Sequence, residues 1–368
     1  EKTGLGIIWT GFIISSFYSV VAGWLLAYGI DSLTGSFSLP LNQETVTSHF
    51  EKLLASPNRL VFLHFSFMLI SALVLLGGIQ KGIERGCKWM MPLLLLMLTG
   101  LAIQGLSLSG ASKALNFLFS PDWSQVSGQT ILLALGQAFF TLSLGMGAIM
   151  AYGAYMPANQ NIGRTAVSVA ALDTGVALLA GIAIFPIVFA NGLAPSEGPG
   201  LVFVTLPIAF SAMPLGILFG TLFFVLLSIA ALSSSISLIE PGVAWLIESL
   251  KIKRTTATII LGFTAWFLGL FSALSFNLIS EFTIFGRNFF DATDFLTSQI
   301  MLPLGGIFIA IFVGWIMKKE HVLEGLGFKE DFIFKAWYFS VRYIAPTLVG
   351  LVFLNFFIDL EKFYNLFF

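Results

Sequence analysis

Apolar residues fall along this chain in blocks of about twenty, separated by short polar or glycine-rich breaks, which is the spacing of membrane-crossing helices. The blocks predict nine spans, at roughly 6–32, 59–79, 88–108, 128–156, 164–190, 215–248, 255–275, 292–317 and 336–358. At about 1.5 Å of rise per residue each is long enough to cross a hydrocarbon core of about 30 Å. Between the first two spans, the polar run 43–52 predicts a short surface helix. The connection 191–207, with Pro195, Gly198, Pro199 and Gly200, is the richest in helix breakers and reads either as a lid or as a solvated connector.

One span departs from the pattern. Residues 128–156 are apolar enough to cross, yet Thr141, Ser143, Gly145 and Gly147 occupy the middle. Glycine costs about 1 kcal/mol in a helix interior, and hydroxyls can replace backbone hydrogen-bond partners. The stretch can therefore unwind at mid-membrane and turn peptide groups toward a ligand, which lipid tolerates only beside a cavity. The competing reading is an unbroken helix with a small-residue packing face.

Composition agrees with a polytopic membrane protein. The 368 residues are 57% hydrophobic and 10% charged, with 39 Phe against 18 Lys plus Arg. A net charge of -1 gives no reason to expect a nucleic-acid partner. With the start placed in the cytoplasm, the inner ends and loops hold Lys2, Lys81, Arg85, Lys88, Arg164, Lys251, Lys253, Arg254, Lys318, Lys319, Lys329 and Lys335. The outside holds Lys52, Arg59, Lys113, Arg287 and Lys362, a bias of twelve to five that supports this orientation. Cys87 is the single cysteine, so no intrachain disulfide forms. His49, His64 and His321 are scattered, against a histidine metal site. The chain begins Glu1-Lys2 with no charged-then-apolar leader, and the expectation is that sequence upstream is absent and that there is no signal peptide.

Polar residues at membrane depth carry the chemistry. Asp173 lies about ten residues into its span, roughly 15 Å deep. An aspartate there costs about 2.5–3.5 kcal/mol by insertion scales, so it should face the protein interior, as an ion ligand or as a structural hydrogen-bond partner. On the sixth span Ala230, Ser234 and Leu238 share one face, with Ser233 and Ser237 on the adjoining stripe. Their hydroxyls and a freed carbonyl offer hard oxygen ligands for an alkali cation, or the hydroxyls bond back one turn. Tyr18 lies about twelve residues into the first span, roughly 18 Å deep, at the level of Thr141, Asp173 and Ser234. Ser143 and Gln137 belong to the interrupted segment, and Ile14, Phe140, Met146 and Leu238 offer apolar walls nearby. Together these predict a pocket with an apolar body and a few convergent polar groups. A histidine–acid pair at one depth, or a nucleophile beside a base, is not evident, so an enzyme is not expected.

At these residues the chain resembles the neurotransmitter:sodium symporter family, the LeuT-type transporters. Four segments carry the likeness: Ser16-Phe17-Tyr18-Ser19 with Trp24; Gly78-Ile79-Gln80-Lys81-Gly82-Ile83-Glu84-Arg85; Gly136-Gln137-Ala138-Phe139-Phe140-Thr141-Leu142-Ser143-Leu144-Gly145; and Ser196-Glu197-Gly198-Pro199-Gly200-Leu201 leading to Thr205-Leu206-Pro207. Their order runs through the whole chain. The resemblance implies an all-α polytopic membrane protein with the LeuT-type inverted-repeat fold, about nine transmembrane helices corresponding to family helices three to eleven. It implies one transporter domain over 1–368, with 1–127 as the remainder of the first repeat, 128–317 as the second inverted repeat and 318–368 as an additional C-terminal helix. The family's first two helices are not in the chain, and the first would supply half of two sodium sites and the substrate-carboxylate contacts.

Carried over residue by residue, the likeness puts Ile14, Tyr18, Phe140, Thr141, Ser143, Met146, Ser234 and Leu238 around the substrate. Tyr18 would hold the substrate carboxylate and Phe140 would close over it from outside. Thr141 and Asp173 would complete the first sodium site; Ala230 through its carbonyl, with Ser233 and Ser234, the second. Asp294 resembles the outer-gate carboxylate, and Glu248 and Tyr155 the inner gate. Two positions depart from the pattern. Asp173 stands where the leucine-transporting type has Asn, and Ala177 one turn on stands where chloride-dependent members have Ser and chloride-independent ones often Glu. Asp173 could itself supply the negative charge that others take from chloride, so chloride is not expected to be required. Glu240 stands before Pro241 where Gln is familiar, either as an added proton carrier or as an internally hydrogen-bonded acid.

The expected function is sodium-coupled symport of a hydrophobic or aromatic amino acid into the cell by alternating access, in a multi-pass inner (plasma) membrane protein of bacterial type. The alternative is a non-transporting amino-acid receptor on the same fold.

Overall fold

The computed structural model describes residues 2–37, 41–77, 79–154, 156, 160–192, 195, 200–212, 215–327, 331–351 and 354. Among these the chain is almost wholly helical. In order, the helices are α1 Lys2–Leu33, α2 Gln43–Leu54, α3 Pro57–Leu76, α4 Ile79–Leu106, α5 Ala111–Phe119, α6 Gly128–Thr141, α7 Ala148–Ala154, α8 Ile162–Ala190, α9 Leu206–Ser211, α10 Gly216–Leu250, α11 Arg254–Leu274, α12 Phe289–Phe295, α13 Leu302–Ile311, α14 Lys319–Leu326 and α15 Phe332–Phe339. Seven spans among the described residues are long and apolar enough to cross a membrane. They agree with the predicted blocks to within a few residues. The fourth predicted span, 128–156, is α6 with α7, and the ninth, 336–358, runs partly outside the described residues.

Polar side chains start the helices where the sequence leaves the apolar pattern. Asn42, Asn161, Asn288 and Asp331 each accept a hydrogen bond from a first-turn amide, at 2.8, 2.8, 2.8 and 2.9 Å. Ser127 and Thr130 satisfy each other's backbone amides at the head of α6. Prolines shape the interiors. Widened π-helical turns at Leu201–Thr205, Leu296–Met301 and Ser340–Ile344 each end just before a proline, Pro207, Pro303 and Pro346. A proline has no N–H and its ring collides with the carbonyl four residues back, and a wider turn relieves both faults without ending the helix. For this reason the predicted irregular connection 191–207 is corrected at its end: from Leu201 onward it is helical, running into α9, while 193–194 and 196–199 lie outside the described residues.

Helices α1, α3, α10 and α11 pack on one another as the centre, with α4 and α8 paired beside them and α13 against α6. Exposed Phe62, Leu69 and Leu73 on α3, and Phe263, Phe267 and Phe271 on α11, give the outer faces the apolar surface that lipid contact requires. Buried hydroxyls on α1 bond back along the helix, Ser15 Oγ donating to Phe12 O at 2.8 Å and Ser16 Oγ to Ile13 O at 2.7 Å. His64 of α3 ties the centre together. Its Nε2–H donates to Trp266 O of α11 at 2.9 Å and its Nδ1 pairs with the Ser19 hydroxyl of α1 at 3.1 Å, so the scattered histidine is a structural bridge. At the C-terminal end of α1, Asp31 accepts from Arg59 of α3 at 2.6 and 2.8 Å and from His49 of α2 at 2.9 Å. That cluster docks the predicted surface helix, whose Phe50 stacks on Phe203 with ring centres 5.3 Å apart.

Candidate functional site

The interrupted span is broken where its small residues lie. Helix α6 ends at Thr141 and α7 begins at Ala148. The stop is a hydrogen-bonded reversal: Ser143 N–H donates to Phe140 O at 3.0 Å and Leu144 N–H to Phe139 O at 2.9 Å, with Ser143 left-handed at φ 55°. A serine there costs about 1–2 kcal/mol that glycine would not, a strain tolerated chiefly where function requires it. Two further left-handed residues follow, Gly145 at φ 79° and Gly147 at φ 83°. The space is as tight as the dihedral is unusual: a Cβ on Gly145 would lie 2.5 Å from Leu302 O, because the broken segment rests backbone to backbone on Gly305 of α13. The unbroken-helix reading is thereby excluded.

The break carries the polar site. Thr141 Oγ1, on the last residue of α6, donates to Asp173 Oδ1 of α8 at 2.8 Å. Helix C-termini hold partial negative charge, so the carboxylate, the threonine oxygen and the end of α6 combine into surroundings that favour a cation. Thr141 is exposed and Asp173 half-buried, which leaves the oxygens accessible. On the other side, Tyr18 of α1 is half-buried and Ser234 of α10 is exposed.

Next to Thr141 in the chain, Phe140 joins an apolar cluster. Ile14, Met146 and Leu238 are 1%, 4% and 6% exposed, and Tyr18 and Phe140 pack against them with Phe17, Ala148, Leu302 and Phe290. Five of the eight predicted substrate residues therefore meet in one place, and Thr141 and Ser143 flank it through the chain itself. Ser234 is exposed on α10, one turn before Leu238. Ser233 Oγ donates to Ala230 O at 2.8 Å, Ser234 Oγ to the same carbonyl at 3.4 Å, and Ser237 Oγ to Ser234 O at 2.7 Å. The serine hydroxyls thus bond back along α10, which brings the Ser233 and Ser234 oxygens beside Ala230 O.

The gate residues are less gathered. Asp294 on α12 is half-buried and lines a cleft of about 420 Å³ with Arg287, Asn288, Asp291, Ser298 and Gln299, and the Arg287 guanidinium lies 3.9 Å over the Phe295 ring. Glu248 is exposed near the end of α10, and Tyr155 lies outside the described residues. Gln137 is exposed on α6.

Of the two readings of Glu240, the structure shows internal hydrogen bonding, with Arg254 as the partner. Buried at 2% exposure, it is bound through both oxygens by Arg254 at the head of α11, at 2.6 and 3.0 Å, and Arg254 also reaches Leu75 O at the end of α3 at 3.4 Å. Two charge-assisted hydrogen bonds from one planar guanidinium fix the carboxyl group in place. Arg254→Leu would leave a carboxylate in the interior without its cation, at a cost of about 3–5 kcal/mol, whereas replacing both partners by leucine should restore most of it. The check is the thermal midpoint of the purified protein: a large fall for the single variant and recovery in the double.

Sequence reasoning missed Arg254, Phe17 and Phe290. Phe17 follows Ile14 by three residues on α1, a helical spacing that points it to the same side. Phe290 stands four residues before Asp294, one turn away on the same face.

The sequence profile of the sodium:neurotransmitter symporter family matches residues 53–367. An uncharacterized sodium-dependent transporter of Bacillus subtilis is 37% identical over 348 residues, covering 94% of this chain and 77% of that one. A second uncharacterized sodium-dependent transporter, from Haemophilus influenzae, is 35% identical over 348 residues, covering 94% and 76%. The crystal structure of MhsT in complex with L-phenylalanine superposes with a TM-score of 0.91 at 46% identity, covering 96% of this chain and 80% of that one. The helix broken at mid-span, the acid facing it and the family match over most of the chain agree: this protein is a sodium-dependent, multi-pass membrane transporter with the LeuT fold, and it belongs to the sodium:neurotransmitter symporter family.

Proposed function

We propose that the protein carries a hydrophobic or aromatic amino acid inward with sodium, through two sodium sites and without chloride, across the inner membrane of a bacterial cell. The observation that carries this reading is the adjacency of Phe140 and Thr141 at the break: one packs on the Ile14, Met146 and Leu238 cluster, and the other bonds Asp173. A zwitterion with an apolar side chain fits such a junction. Its side chain occupies the cluster, its carboxylate meets the Tyr18 hydroxyl, and sodium occupies the oxygens beside it. Polar side chains would enter unpaired, at a cost of about 1–3 kcal/mol, or roughly ten- to a hundredfold in affinity. That the MhsT structure is a complex with L-phenylalanine supports the same choice of side chain.

Thr141 and Asp173 form the first sodium site in this reading, and Ala230 O, Ser233 and Ser234 the second. Asp173 supplies the fixed negative charge that makes chloride dispensable, with Ala177 offering no oxygen one turn on. Asp294 serves the outer gate, Glu248 and Tyr155 the inner one, and Tyr18 and Phe140 close over the substrate. Alternating access follows from rocking of the bundle around residues 128–156, which opens the inner side, with sodium favouring the outward state and substrate completing the closed one.

The test is uptake into proteoliposomes bearing the full-length protein, with labelled leucine, phenylalanine, tryptophan, glycine and glutamate. Sodium-driven uptake of the first three, unchanged when gluconate replaces chloride, is the expected result. Chloride-dependent uptake overturns the anion assignment, preference for glycine or glutamate overturns the substrate class, and binding without flux identifies a receptor.

A further inference from the structure

We propose that Phe290 is a specificity-determining residue whose ring limits the size of the side chain that the apolar pocket accepts. The proposal rests on the reading of that pocket as an amino-acid site and goes beyond the residues assigned to it. Phe290 packs on the same cluster as Tyr18 and Phe140, and its ring centre lies 5.6 Å from that of buried Phe17, edge to face at 80°. It is only half-buried, so part of the ring is left for contact with a ligand.

What makes it a limit and not a flexible wall is its backing. The Phe276 ring stands 5.2 Å behind it and the Trp24 ring 6.0 Å. Trp24 is 1% exposed and is itself held by Phe50 and Phe203, with ring centres at 5.4 and 5.7 Å. The backbone is pinned as well. Phe290 N–H donates to Ser275 Oγ, just past the end of α11, at 3.3 Å, and Asn288 caps the same turn through Asp291 N–H. A ring fixed on a capped first turn, with aromatic neighbours behind it, cannot retreat to admit a larger ligand, because close-packed interiors resist added volume.

The experiment compares Phe290→Ala and Phe290→Trp with the unaltered full-length protein. It measures kcat/KM for leucine, phenylalanine and tryptophan, together with the sodium concentration for half-maximal uptake. One methylene in an apolar pocket is worth about ten- to two-hundredfold in discrimination, so F290A should raise the tryptophan-to-leucine ratio by about tenfold or more and F290W should lower it. Half-saturation by sodium should stay within about twofold, because the ring touches no cation ligand. If F290A does not fold, F290L tests the same ratio, with a smaller rise in the same direction. An unchanged ratio in folded variants, or an equal loss for all three substrates, overturns the proposal alone. Failure of the unaltered protein to take up any of the three overturns the pocket reading and this proposal with it.

Discussion

Asp173→Ala should abolish the stimulation of uptake by sodium while leaving the protein folded. The carboxylate gives the Thr141 corner of the site its formal charge, and it faces the negative end of α6. A charged contact of this kind is worth about 1.5–3 kcal/mol, so its loss should weaken sodium by roughly ten- to a hundredfold, enough to remove dependence over ordinary concentrations. Folding should survive because Asp173 is half-buried and Thr141 is exposed, so water can take the vacated place. Asp173→Asn separates charge from shape. It keeps an oxygen for the Thr141 hydroxyl but loses the negative charge, and uptake should then be stimulated by chloride. Normal sodium dependence in the alanine variant would retire the assignment, and an asparagine variant indifferent to chloride would retire the electrostatic explanation.

Gly145→Ala should abolish transport and destabilise the protein. The added carbon meets a left-handed φ of 79° and a backbone oxygen, Leu302 O, at 2.5 Å, and backbone cannot swing away as a side-chain tip can. The left-handed penalty alone is about 1–2 kcal/mol, and displacement of α13 adds to it, so transport should be lost and the thermal midpoint should fall. Gly136→Ala is the control on the same span. It lies inside α6 with open space around it, and a helix gains up to about 1 kcal/mol from that exchange. Equal melting temperatures for the two variants would show that the break does not depend on glycine at 145.

These two glycines also mark how far the amino-acid string can be read. Gly145 lies among hydroxyls at mid-membrane depth, where both helix propensity and backbone satisfaction fail together, so the break was visible without coordinates. Asp173 was visible for a related reason: the cost of an acid at that depth demands a partner, and Thr141 is that partner. Ile14, Met146 and Leu238 came from helical phase and the family likeness. What stayed hidden depends on how helices cross. Arg254 was counted as one of many inner-side cations, and nothing local says that it reaches back fourteen residues to Glu240 and also touches Leu75 O. Residues 201–205 were taken for irregular chain because breakers precede them, whereas a widened turn before Pro207 keeps them helical. Phe290 carries no polar signature at all, and only the stacking of Phe17, Trp24 and Phe276 around it gives it meaning.

The reversal at Ser143 bears on how an ion is taken up. Since the chain is already folded into its left-handed stop by its own amides, the oxygens at the end of α6 stand ready before anything arrives. At the proposed sodium site, capture would ask only that water leave the cation, with no stretch of helix melting at that moment. Selectivity between sodium and its larger neighbours would then be a matter of hydration against an oxygen lip held by the handedness of three residues.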